Sequence, residues 1–263
     1  LEAEKMSDPV RGNRRSGLAL APNTTAGDQT GRQVVEVLVL GRFSVRIAGR
    51  EVGLPRSIQR PVAYLAVSRQ AVTRLELASA LWPDSSSSAG LARLRNDLWK
   101  IRRLVPDLVR SGSKVALADH VTVDLHEARR IADELLLPES GPPEGWQLDL
   151  LHDDLLVDWD EEWLALDQRA HSFLRSHALE KLARHRLEAS LFYEAEWACR
   201  SVIATDPYRE STRLLLADVH IAEGNGGLAL RELVEFQRLL IRDLGVLPND
   251  RIRRLITAIR AGP

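Results

Sequence analysis

Residues 88–105 read SAGLARLRNDLWKIRRLV. Leu91, Leu94, Leu98, Ile101 and Val105 recur at steps of three and four, so they form one stripe of an α-helix, a core-facing stripe. The opposite face carries Ala92, Arg93, Asn96, Trp99, Lys100 and Arg103, with Arg95 and Arg102 on its flanks. Guanidinium forks match guanine edges and phosphates, an asparagine amide matches adenine, and an ammonium matches phosphate. The helix therefore has the chemistry of one laid in a DNA major groove. A solvated amphipathic helix would show the same pattern, so the neighbouring segments decide between the two.

Upstream, Val35, Val37 and Val39 alternate with Leu38 and Leu40, Gly41-Arg42 turns the chain into Phe43–Ile47, and Ala48-Gly49-Arg50 turns it into Glu51–Leu54. This predicts a short antiparallel sheet. A helix follows, with Pro61 near its start, Val62, Leu65 and Ala66 on one face, and an end by Gln70. Thr73-Arg74-Leu75-Glu76 is a capping box opening a second helix, whose Leu77, Ala80, Leu81 and Trp82 point inward and which Pro83 stops. The loop Asp84–Ser88 leads into the cationic helix and supplies its capping hydroxyls. Downstream, Val109–Val123 reads as two strands of a wing, with turns at Ser111–Lys114 and Ala118–His120. Sheet, helix, capped helix, basic helix and hairpin is the order of a winged helix-turn-helix domain. Arg93, Asn96 and Lys100 are the expected base or near-base contacts. Arg95, Arg102, Arg103 and Lys114 are the expected phosphate contacts, with Arg110 also placed to reach the backbone. Trp99 either stacks on the DNA or packs against the wing, and its size favours packing.

The chain has 263 residues, 44% of them apolar, which is room for two cores. Residues 32–124 hold 15 Lys/Arg against 8 Asp/Glu, whereas residues 126–263 hold 17 against 25. A basic, polyanion-binding half is thus joined to an acidic half. Expected boundaries are a flexible tail over 1–33, a winged helix-turn-helix domain over 34–125, and an all-α domain over 126–263. No run of 18 apolar residues and no secretory signal is visible, so a cytoplasmic, nucleoid-associated protein without membrane contact is expected. The single cysteine, Cys199, reads as a core residue.

In the acidic half, His126–Leu137 continues as a helix and Pro138–Gly145 is a loop. Asp153, Asp154, Asp158, Asp160, Glu161 and Glu162 crowd together and read as a solvated helix start. Beyond Trp163 the pattern is helical and repeats at an offset of 34: Leu182-Ala183 returns as Leu216-Ala217, Leu187 as Ile221, and Ala195 as Ala229. That period is the tetratricopeptide signature, with Asp206-Pro207 breaking the chain between units. Helices near Trp163–Phe173 and Arg251–Arg260 are the expected caps. His171, His177 and His185 are spaced too unevenly for a metal site. The fold class is mainly α with a small β component. No metal, cofactor or catalytic residue is expected, since no P-loop, metal triad or nucleophile elbow occurs.

Val39-Leu40-Gly41-Arg42-Phe43-Ser44-Val45, Arg60-Pro61, Val72-Thr73-Arg74 and Ala80-Leu81-Trp82-Pro83-Asp84 resemble the OmpR-like DNA-binding half of activators of the SARP class. Leu155–Trp163 and Asp243–Asn249 resemble that family's bacterial transcriptional activator domain. The likeness covers about residues 35 to 260, and departs from the family at the wing, where Lys114-Val115 stands for a glycine-tyrosine pair. It implies a pathway-specific activator that binds direct repeats near a promoter, as side-by-side protomers or a homodimer on double-stranded DNA, and recruits RNA polymerase. By the same resemblance, the polymerase contact falls on Asp84, Ser85, Ser86 and Ser87. The alternative is a helical-repeat adaptor whose winged helix does not bind DNA.

Overall fold

The computed structural model describes residues 34–138 and 149–261. The tail expected over 1–33 and most of the loop expected over Pro138–Gly145 lie outside these. Strands β1 (Val35–Leu38) and β2 (Ser44–Ile47) pair antiparallel with Val37 opposite Val45, both fully buried. Ala48 and Gly49 both have positive φ, 48° and 77°, as a two-residue hairpin loop requires, so Ile47 pairs directly with Arg50. Strand β3 is only Arg50–Glu51, shorter than expected, because Pro55 already turns the chain into helix α1 (Arg56–Ser68). That helix begins five residues before Pro61, not near it. Pro61 is buried in the helix interior, where its ring removes one donor.

Strand β4 (Val72–Thr73) leads into α2 (Arg74–Leu81), where both bonds of the capping box are made. The Glu76 amide donates to Thr73 Oγ1 at 3.1 Å, and the Thr73 amide to Glu76 Oε2 at 3.4 Å. The inward residues are Leu77, Ala78 and Leu81, with Ala80 only half-buried. Helix α3 spans Ser87–Leu104, and Ser86 caps it by accepting from the Ala89 amide at 3.3 Å. The segment expected as two wing strands holds three: β5 (Val109–Ser111), β6 (Lys114–Leu117) and β7 (Val121–Val123). β5 and β6 form the hairpin and pair with β4, in the order β4-β6-β5. β7 leaves it to lie parallel to β1, with Val121 opposite Val35, because Val123 fills the core beneath that sheet.

Helix α4 (Asp124–Leu136) ties the halves together. Its first carboxylate accepts from the Val39 and Leu40 amides at 2.9 Å each, closing the free end of β1. His126 Nε2 donates to the Ala66 carbonyl at 2.7 Å, and Arg129 donates to the Val67 carbonyl, so α4 satisfies the orphan carbonyls at the end of α1.

The acidic run is a solvated helix start only at its end, where exposed Glu162 opens a 3-10 turn, Glu162–Leu164, that runs into the next helix; the rest of it forms a strap. Residues 154–157 lie along the end of β1: the Gly41 amide donates to the Asp154 carbonyl at 2.7 Å, and the Leu156 amide to the Val39 carbonyl at 2.9 Å. Leu155, Leu156, Trp159 and Leu164 enter the same core as Val37, Ile58 and Leu94. The neighbouring acids pair outward from this strap, Asp158 with Arg42 at 3.2 Å and Glu161 with Arg60 at 2.6 Å. Arg56 lies 4.6 Å over the Trp159 ring.

The helical repeat follows as α5 (Ala165–Glu188), α6 (Phe192–Thr205), α7 (Glu210–Ala222), α8 (Gly226–Leu244) and α9 (Asp250–Ala261). The 34-residue period holds bond for bond. The amides of Ala189, Ser190 and Leu191 donate to the carbonyls of His185, Leu187 and Arg186, and those of Glu223, Gly224 and Asn225 to Val219, Ile221 and His220. Ser190 and Gly224 both sit at positive φ, 61° and 88°. The stretch expected as a cap, Trp163–Phe173, instead runs into the 24-residue α5. The cap on that side is α4, whose Ile131 and Leu135 share a core with Leu179 and Leu182, while α9 covers the other end through Ile252 and Ile256. Cys199 is buried there, its thiol pushed up to about 12 by burial.

Candidate nucleic-acid interface

Helix α3 is held from behind. Leu94, Leu98, Ile101 and Val105 are each under 5% exposed, which fixes the rotation of the helix about its axis. On the other side Arg93, Arg95, Asn96, Trp99, Arg102 and Arg103 are exposed, and Lys100 is half-buried. The structure brings all seven onto one ridge, with exposed Lys114 on the wing. Trp99 is 57% exposed, with the Arg103 guanidinium 5.4 Å from its ring centroid, so the packing against the wing expected from its size is absent. Arg102 and Arg103 lie in the last turn of α3, where the helix dipole favours cations.

Three elements meet at the wing. Lys114 pairs in register with Thr73, the cap of α2. Arg74 donates to Ser111 Oγ at 2.8 Å and Arg102 to the Ser111 carbonyl at 3.4 Å. Arg110 pairs with Asp119 at 2.8 Å. In the loop before α3, Asp84 is exposed, Ser85 accepts from Arg93 at 3.3 Å, Ser86 is occupied by capping, and Ser87 is already the first residue of the helix.

Two residues were missed by reading the pattern. Arg74 follows the capping threonine, a position adjacent to the wing once the sheet forms. Asp97 sits on α3 but only 6% exposed, an acid inside a cationic helix. Its side chain meets Lys100 Nζ at 3.4 Å. Burial pushes the Asp97 carboxyl up, and Lys100 and then Arg60 pull it back. The acids of the strap turn to Arg42 and Arg60, and among the described residues no ion pair joins the α3 cations or Lys114 to residues 149–261. Among the described residues no group of three or more His, Cys, Asp or Glu is placed to hold a metal, and no helix is long and apolar enough to cross a membrane.

A winged helix-turn-helix unit thus shares its core with the strap that leads into a capped helical repeat. Residues 147–260 match the family model of the bacterial transcriptional activator domain. None of the curated proteins matches it by sequence. Among solved structures it is similar to EmbR of Mycobacterium tuberculosis, in a complex with a low-affinity phosphopeptide, with a TM-score of 0.69 and 19% identity. The likeness covers 88% of this chain and 66% of that one, so the chain spans about two thirds of that structure's length.

Proposed function

We propose that this chain binds duplex DNA by laying α3 in the major groove, and that it activates transcription from direct repeats near a promoter. The observation that carries this reading is the exposed ridge of Arg93, Arg95, Asn96, Arg102 and Arg103 on a helix whose back is buried from Leu94 to Val105, with Leu91 half-buried. In this reading Arg93, Asn96 and Lys100 read bases, Arg95, Arg102, Arg103 and Lys114 hold phosphates, and Trp99 stacks on a sugar or methyl group. The loop at exposed Asp84 and half-buried Ser85 touches RNA polymerase, with Ser86 and Ser87 holding it on the end of α3. Side-by-side protomers fit the direct repeats, and the site of action is the nucleoid in the cytoplasm.

A salt titration on a fragment selected from genomic DNA tests it. Four phosphate contacts give a slope of log K on log salt of about −3.6, at about 0.9 per contact. Arg93→Ala and Asn96→Ala each cost about 1–3 kcal/mol on the selected site and flatten its sequence preference. No salt-dependent DNA binding at all would overturn the reading in favour of an adaptor. Asp84→Ala, which leaves the Ser85 partner of Arg93 in place, is expected to keep DNA affinity intact and abolish transcription in a reconstituted assay.

A further inference from the structure

An acid in the middle of a DNA-facing helix repels phosphates unless a cation neutralises it. Asp97 is such an acid, buried, and it pairs with Lys100, one turn further along the same helix, at 3.4 Å. Three other ridge cations meet neutral partners: Arg93 a serine hydroxyl, Arg102 a carbonyl, Arg103 an indole ring. Lys100 is the one whose charge meets a carboxylate among the described residues of α3. The acid has little freedom to turn away, since it is enclosed between α3 and the rest of the domain. On α1, Arg60 is engaged elsewhere, donating to the Leu81 carbonyl at 2.8 Å and to Glu161 at 2.6 Å.

Resting on the DNA-binding reading above, we infer that Asp97 is a positioning residue that sets sequence specificity: it holds the Lys100 ammonium back from the phosphates and points it at a base edge. A lysine has three N–H donors and no fixed fork, so an unrestrained one settles on the nearest phosphate as a point charge. With one N–H donated to Asp97 and the charge largely met, two donors remain for the acceptors of a guanine edge, and the general pull on the backbone is reduced. The helix thereby trades non-specific affinity for discrimination.

The test compares wild type, Asp97→Asn, Lys100→Gln and the double variant on two probes, a selected genomic fragment and a short duplex of mixed sequence, across a salt series. Asp97→Asn is expected to tighten binding to the mixed duplex, steepen its salt slope by about 0.9, the value of one added phosphate contact, and lower the ratio of selected to mixed affinity. In the double variant the added slope disappears, which a merely structural effect of Asp97 would not produce. Lys100→Gln alone lowers selected-fragment affinity more than mixed-duplex affinity. An Asp97→Asn protein with an unaltered thermal melt and an unaltered salt slope overturns the inference. So does Lys100→Gln if it weakens both probes equally with a slope shallower by about 0.9, a result that stands even if Asp97→Asn fails to fold. Failure of the wild type to bind either duplex would instead bring down the DNA-binding reading and this inference with it.

Discussion

Arg175 is only 1% exposed, and its guanidinium joins the strap to the helical repeat. It donates to the carbonyls of Leu151 at 2.7 Å, His152 at 2.6 Å and Ser201 at 3.2 Å, and to Thr205 Oγ1 at 3.2 Å, with Asp154 at 3.9 Å. Replacing it with methionine keeps the apolar stem and removes every donor. The Ser201 carbonyl lies inside α6 and retains its helical partner. The carbonyls of Leu151, which ends a short 3-10 turn, and of His152, just beyond it, lose theirs. At about 1–3 kcal/mol for each unsatisfied buried group, Arg175→Met costs about 2–6 kcal/mol, with about 4 as the centre. Release of the guanidinium from its burial cost trims this figure. For a chain of this size 1 kcal/mol moves the melting temperature by about 2–4 °C, so a fall of about 8–16 °C is expected. Urea unfolding followed by circular dichroism and by tryptophan fluorescence measures it, since Trp159 and Trp163 both pack in the seam between the halves. Arg175→Lys, with charge but no fork, should fall between the two. A methionine variant within about 1 kcal/mol of wild type would refute the reasoning, because the strap would then be held without the fork.

Burial holds the imidazoles of His126 and His171 below their ordinary value, so the unfolded chain takes up protons on them before the folded one. Their contribution to stability is therefore present above about 6.5 and lost as pH falls through their lowered folded values. Urea midpoints across that range should drop with pH in the wild type and drop less in a His126→Gln/His171→Gln variant, and equal slopes would contradict it. Cys199, buried and with its thiol pushed up to about 12, should resist a thiol reagent in the folded protein and react fully in denaturant; reaction of the native chain at the denatured rate would show the helical core to be open.

Local signals were legible where a few neighbouring residues carry the whole physical cause. The capping box at Thr73 and Glu76, the apolar stripe of α3, the Ala48-Gly49 turn and the 34-residue period all satisfy backbone groups or bury side chains within one or two turns of chain. The residues of the ridge were legible for the same reason: once the stripe faces inward, helical geometry places Arg93, Asn96 and Arg103 outward. Trp99 was misjudged because its burial depends on how near the wing comes, which helical spacing alone does not settle.

The amino-acid sequence by itself determined the order of elements, the polarity of α3 and the division into a basic and an acidic half, because periodicity, capping and charge act at short range along the chain. Tertiary structure alone decided where the acids of residues 153–162 go, that β7 leaves the wing for β1, that α4 rather than the start of α5 caps the repeat, and that Arg175 and Asp97 are buried. Each of these turns on unsatisfied groups that find partners far along the chain, such as the Val39 carbonyl with the Leu156 amide. Nothing in the spacing of neighbouring residues encodes such a meeting; it arises only when the two halves close on one core.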